Sequence, residues 1–176
     1  MKLEAAFRRR CEAIAVEQRY ELKKQPFDPL PAEELLIKMK GEARPPNQFA
    51  TMPPEHVAHL LQANDWSAGI VWLQPLLIVY HPAHSSARHQ SNLMHELAHV
   101  LLKHPMVGFD PKTGLPLRNP RCEAEAVYLG GCLQIPRLGL QWAAGRGYSA
   151  TQVAAHFGAS EAMVAFRSNM TGVKLC

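Results

Sequence analysis

Four cysteines in 176 residues (Cys11, Cys122, Cys132 and Cys176), none in C-x-x-C spacing, exclude a disulfide framework and point to free thiols in a reducing cytoplasm. No apolar run reaches the ~18 residues that a membrane-crossing helix needs, so no membrane partner is expected. The first residues are amphipathic and carry charges of both signs, unlike a secretory signal. A strong charge of one sign is also missing, the formal net charge being only +4. Arg8, Arg9 and Arg10 resemble a nucleic-acid patch. Over residues 1–44, however, Lys and Arg outnumber Asp and Glu by only ten to eight, which is the balance of a solvated helix face. What remains is a folded chain, 47% apolar and 19% charged, long enough for one domain with a core and a small appendage.

Against that background one stretch stands out: His95-Glu96-Leu97-Ala98-His99, an H-E-x-x-H motif. Met94, Leu97, Ala98, Leu101 and Leu102 supply apolar spacing of i, i+3, i+4 and i+7, which predicts an amphipathic helix over Arg88–Lys103, stopped by Pro105. Residues four apart on a helix differ by about 40°, so His95 and His99 project from one face and can reach a single ion. Glu96 is turned away from it, a position that suits a general base acting on water at the metal rather than a third ligand. Nine histidines and twelve glutamates would produce the motif by chance with a probability of roughly 3%.

Along the chain, residues 3–24 read as a helix with Leu3, Phe7, Cys11, Ile14 and Leu22 near one face, ending at the Pro26–Pro31 stretch. A second helix runs from Pro31 or Ala32 to about Met39, stopped by Gly41, with Arg44-Pro45-Pro46-Asn47 continuing as loop. Pro53 or Pro54 starts a third, carrying His56 and His59 as surface or packing residues. Ile70–Leu73 and Leu76–Tyr80, separated by Gln74-Pro75, read as a β-hairpin beside the motif helix. Its free edge could accept an extended peptide as a further strand, or it could simply pack under the helix. Val107–Asn119 has no periodicity and reads as a mobile loop. Asn119-Pro120 then starts a helix that carries Glu123, Glu125, Tyr128 and Leu133 and stops before Pro136.

A catalytic zinc takes three protein ligands, and the motif supplies two. Glu123 and Glu125 are the acidic residues of the next predicted helix, with Cys122 adjoining. They differ by about 200° around it, so one is expected at the ion while the other orients a histidine or meets solvent.

Arg88-x6-His95-Glu96-Leu97-Ala98-His99, followed by Glu123-Ala124-Glu125-Ala126-Val127-Tyr128-Leu129-Gly130 and Leu133-Gln134-Ile135-Pro136, resembles the ImmA/IrrE-type metallo-endopeptidases. That family has the pattern R-x-x-F-T-x-A-H-E-x-x-H and later E-x-x-A-N-x-F-A-x-x-L-L-M-P. The resemblance covers about residues 70–136. It implies an α+β, zincin-like fold: a small twisted sheet, an active helix with the motif, and a following helix with a glutamate. Matching E-x-x-A to Glu123 and Ala126 implies Glu123 as the third ligand, with Glu125 the alternative. Val127 stands where the family has Asn, Leu129-Gly130 replaces Phe-Ala, and Ser91-Asn92 replaces Phe-Thr. These departures bear on packing and substrate choice, since none removes a ligand or the base. The implied chemistry is peptide hydrolysis at Zn2+ held by His95, His99 and Glu123, which acidifies water, with Glu96 as base and then as acid to the leaving amine. His104, Tyr128 or His81 could stabilise the oxyanion, and Arg88 could position the strand-to-helix connection. The implied substrate is a protein, with a transcriptional repressor as the class.

The chain is expected to divide into a peptidase domain over 1–147 and a helix-turn-helix-like appendage over 148–176. Ser149-Ala150-Thr151-Gln152 is a capping-box pattern and Ser160 caps a second helix after a turn at Gly158, giving a C-terminal helical hairpin. Its second helix offers one Arg, one Glu and mostly Ala, Met, Val and Phe, poor material for reading base edges. Nucleic-acid contact is therefore not the favoured reading. The rival to an endopeptidase is a regulatory binding module with a structural or vestigial zinc site, whose hairpin meets DNA or protein.

Overall fold

Two helices packed face to face carry the centre of the molecule. A computed structural model describes residues 3–50, 52–63, 66–105 and 119–176. The first of the central pair is α4 (Ser86–Leu101). Ser85 caps it by accepting from Arg88 N at 3.4 Å, and Leu93, Met94, Leu97 and Ala98 form its buried face. Each of the three larger side chains contributes roughly 1.5–3 kcal/mol on burial. After α4, Lys103 adopts a left-handed φ of 56° that turns the chain out of the helix, two residues before Pro105. The second helix is α5 (Pro120–Gln134), capped by Asn119, whose side-chain oxygen accepts from Arg121 N at 2.9 Å and Cys122 N at 3.4 Å. Gly130 lets the two helices approach closely: a Cβ there would lie 3.2 Å from Met94 O and 3.3 Å from His95 N.

The expected N-terminal helix is α1 (Ala5–Glu21), packed on α5, and α2 (Ala32–Lys38) follows it. The stretch after Gly41, read from the sequence as a stop followed by loop, instead includes a short strand, β1 (Gly41–Arg44), before a 3-10 turn at Pro46–Gln48. Its pattern carries little apolar signal, Ala43 being flanked by Glu42 and Arg44. The strand exists because it pairs in parallel with a segment more than thirty residues later. Next come α3 (Pro54–Gln62), β2 (Ala68–Leu73) and β3 (Leu76–Tyr80).

The sheet has the order β1-β3-β2, with Gly41 opposite Leu76 in the parallel pair and Ile70 opposite Ile78 in the antiparallel hairpin. An irregularity between Ile70 and Trp72 twists β2, which lies at one edge with Trp72 64% exposed. Leu76 and Ile78 point inward beneath α4. The described chain is thus α+β with a small mixed sheet.

Beyond α5 come α6 (Arg137–Ala144), unassigned from sequence, then α7 (Ala150–Phe157) and α8 (Glu161–Thr171). Ser149 and Gln152 form the expected capping box, Ser160 caps α8, and Gly158 takes a left-handed φ of 61° between them. Leu140, Ala143, Val153, Phe157 and Val164 make a second apolar cluster around these three helices.

The C-terminal end of α5 is held by two fully buried arginines. Arg19 of α1 donates to Leu133 O at 2.8 Å and Gln134 O at 3.1 Å, and Arg167 of α8 donates to Ile135 O at 2.8 Å while pairing with Glu12. They satisfy carbonyls that a helix end otherwise leaves open and place positive charge at the negative end of its dipole. Among the described residues no helix is long and apolar enough to cross a membrane. The Gly- and Pro-rich stretch read as a loop lies, from Val107 to Arg118, outside the described residues.

Candidate metal centre

The close crossing at Gly130 brings the first turns of α5 over the motif on α4. His95 Nε2 lies 3.1 Å from His99 Nε2, and Glu123 places Oε2 3.4 Å from His95 Nε2 and Oε1 3.7 Å from His99 Nε2. The three donor atoms all lie within 4.8 Å of one another, and the three residues are half-buried. A tetrahedral ion with bonds of about 2.0–2.1 Å separates its ligand atoms by about 3.3–3.4 Å, close to the spacings present. Two imidazoles and one carboxylate also form a suitable donor set for a catalytic metal that keeps a fourth position open. The residues therefore fit a divalent ion.

The family model described as the IrrE N-terminal-like domain, Peptidase_M78, matches residues 51–169. The chain belongs to this family. No curated protein matches it. Membership places the chain among the metallopeptidases at the level of the family, and the match takes in α4, α5 and most of α8.

Around this M78 centre the remaining candidates separate clearly. Glu125, the alternative ligand, turns away from His95: its Oε2 lies 3.2 Å from His104 Nε2 and its Oε1 accepts from Arg121 Nε at 2.9 Å. Burial raises the Glu125 pKa, but the hydrogen bonds from Arg121 and His104 outweigh it and hold the carboxyl below the usual carboxylate range. His104 in turn places Nδ1 3.0 Å from His99 Nδ1, behind the ring and away from the donor atoms.

Tyr128 lies in the core, 6.4 Å from the Phe7 ring and under the Arg167 guanidinium, so it belongs to packing. His81 is buried against His84 and Trp66 at the strand-to-helix connection. Arg88 donates to Ser67 Oγ at 3.1 Å across that connection. Glu96 is half-buried on α4 beside His95, and Cys122 is half-buried with a free thiol.

Two surface clefts lie elsewhere, one of about 560 Å3 between α1 and α6 lined by Glu12, Val16, Tyr20 and Leu138, the other of about 380 Å3 beside Pro31, His89 and His156. Neither contains a donor of the metal set. The donor geometry, rather than cleft volume, marks the candidate metal site.

Sequence reasoning did not reach Arg121 or the arginine clamp on α5. Arg121 sits four residues before Glu125, an i, i+4 pair that was available to find. Arg19 and Arg167 gave no such signal, because arginines inside apolar helix faces usually keep their heads in solvent.

Proposed function

We propose that the chain is a zinc-dependent endopeptidase that cleaves a protein substrate, with a transcriptional repressor or regulator as the substrate class. The observation that carries this reading is the convergence of His95, His99 and Glu123 at spacings of 3.1, 3.4 and 3.7 Å, in a chain of the M78 family. His95 and His99 would hold zinc through Nε2 and Glu123 through its carboxylate. When bound, zinc supplies a Lewis acid that polarises a carbonyl and acidifies water.

The chain's own residues do the rest. Glu96 takes the proton of the attacking water as the bond to the peptide carbon forms, then delivers it to the amine nitrogen as the C–N bond breaks. Among the described residues β2 is an edge strand next to α4, on whose outer main-chain groups an extended substrate could be aligned. The free thiols suit a cytoplasmic setting.

A DNA-directed role for the hairpin is less well supported. Arg167, the only basic residue of α8, is buried against Glu12 and therefore not available to a phosphate or base.

The test is zinc content per chain for the wild type, Glu123→Ala and Glu125→Ala, with cleavage measured for Glu96→Gln. One zinc is expected in the wild type and its loss in Glu123→Ala. Glu96→Gln should keep the metal and lose cleavage. Full activity in Glu96→Gln would refute the mechanism, and a wild type that takes up no zinc would return the motif to helix packing.

A further inference from the structure

We propose that His104 and Glu125 are positioning residues that hold His99 in the one neutral tautomer able to bind a metal through Nε2. The proposal rests on the reading of His99 as a ligand. A neutral imidazole has one N–H and one nitrogen lone pair. The nitrogen of His99 that faces His95 and Glu123 is Nε2, so ligation requires the proton on Nδ1. That Nδ1 lies 3.0 Å from His104 Nδ1, which must then accept and carry its own proton on Nε2.

The direction of this chain of hydrogen bonds is set at its far end. His104 Nε2 lies 3.2 Å from Glu125 Oε2, and an ionised carboxylate can only accept. Glu125 therefore favours the Nε2–H form of His104, which leaves its Nδ1 as an acceptor for the Nδ1–H of His99. The opposite direction would turn a lone pair of His104 toward the carboxylate and put the proton of His99 on the nitrogen needed for the ion.

Burial gives this control its strength. The side chains of His104 and Glu125 are only 8% and 15% exposed, so water is a poor substitute partner for either. Arg121, at 71% exposure, accepts solvent in place of Glu125 more easily and contributes less.

The backbone independently fixes where His104 sits. Lys103 takes its left-handed turn, and the next N–H, that of His104, donates to His99 O at 3.0 Å. His104 is thus bound to His99 through main chain and side chain together. Outer partners of this kind orient ligand histidines, and their loss commonly weakens metal binding by about 10–100-fold.

The experiment compares wild type, His104→Phe, His104→Gln and Glu125→Ala. Ring nitrogen–proton correlation spectra of metal-free protein at pH 8 read the tautomer of His99, and competition with a chromogenic chelator reads zinc affinity. Circular dichroism checks the fold. The wild type should show His99 as Nδ1–H. His104→Phe and Glu125→Ala should each mix in the Nε2–H form and weaken zinc binding by about 10–100-fold. His104→Gln, whose amide oxygen can accept, should recover Nδ1–H and part of the affinity, which a merely structural role would not produce.

Should His104→Phe fail to fold, Glu125→Ala tests the same relay. An unchanged tautomer and affinity in the folded variants would overturn the proposal while leaving the metal centre intact. Absence of zinc from the wild type would instead overturn the metallopeptidase reading, and the tautomer comparison alone would then decide the relay.

Discussion

Replacing Gly130 with alanine sets two effects of opposite sign against each other at the crossing of α4 and α5. Within a helix, alanine is favoured over glycine by about 1 kcal/mol. The new methyl group, however, would sit 3.2 Å from Met94 O and 3.3 Å from both His95 N and His95 Cα. Ordinary carbon contacts lie at about 3.5–4.0 Å, so the helices must separate by roughly 0.3–0.5 Å. The obstructing atoms are main chain and cannot rotate away. Behind them Leu93, Met94 and Leu97 are fully buried, so a shift of α4 means repacking the core around those side chains. Overpacking of this kind costs about 1–3 kcal/mol.

The expected net effect is therefore a loss of about 1 kcal/mol, a fall in Tm of about 2–4 °C for a chain of this size. The displacement falls on His95 itself while Glu123 moves with α5, and metal sites tolerate only about 0.2 Å of error in their ligands. Zinc affinity should fall by about tenfold or more, a larger effect than the stability change implies. Thermal melts of the metal-free protein and chelator competition measure the two separately. A Tm raised by a few degrees with unchanged zinc affinity would refute the reasoning, because it would mean that α4 yields freely and helix propensity alone decides.

Arg19→Met should remove the donor from Leu133 O and Gln134 O, two buried carbonyls at the end of α5. At about 1–3 kcal/mol for each orphaned group the loss is about 2–6 kcal/mol, measured by urea unfolding, and a change under 1 kcal/mol would refute the clamp. Arg19 stays charged at neutral pH even though burial pulls its pKa down to about 10. Burial pushes the Cys11 thiol up to about 12 and, with the same cause foremost, raises Cys132 well above its ordinary range. Both should resist a thiol reagent at pH 8 until the protein unfolds, while Cys176 reacts at once; rapid labelling of Cys11 and Cys132 in folded protein would contradict this. Folded protein holds the Cys11 proton that unfolded protein gives up from about pH 9, so stability should fall as pH rises from about 9 toward 12.

The sequence was most readable where local chemistry acts alone. Asn119, Ser149 and Ser160 each cap the helix they precede, because a short polar side chain next to an open N–H needs no distant partner. Apolar spacing likewise announced α1, α4 and the β2–β3 hairpin. It failed for β1, whose four residues have no pattern of their own and are strand only through parallel pairing with β3. It also failed for the buried arginines, whose partners lie 114 and 32 residues away along the chain. Long-range pairing of this kind leaves no periodicity behind it.

The choice between Glu123 and Glu125 lies between these cases, and it shows where a usable signal lay. Apolar periodicity could not select one, because α5 is buried almost all round from Tyr128 onward and both candidate faces carry apolar residues. Glycine is the better guide. A glycine inside a buried helix can mark a close backbone approach: the missing Cβ of Gly130 admits α4 at the first histidine of the motif, whereas that of Gly131 faces side chains of α8. Glu123 lies seven residues before Gly130, about 700° of rotation, and so within about 20° of the same face. Glu125 lies five residues before it, about 140° away. The face that touches α4 is therefore the one that carries Glu123 to His95 and His99, while Glu125 is left to approach from the side, where the turn after α4 delivers His104. One absent Cβ orders both carboxylates.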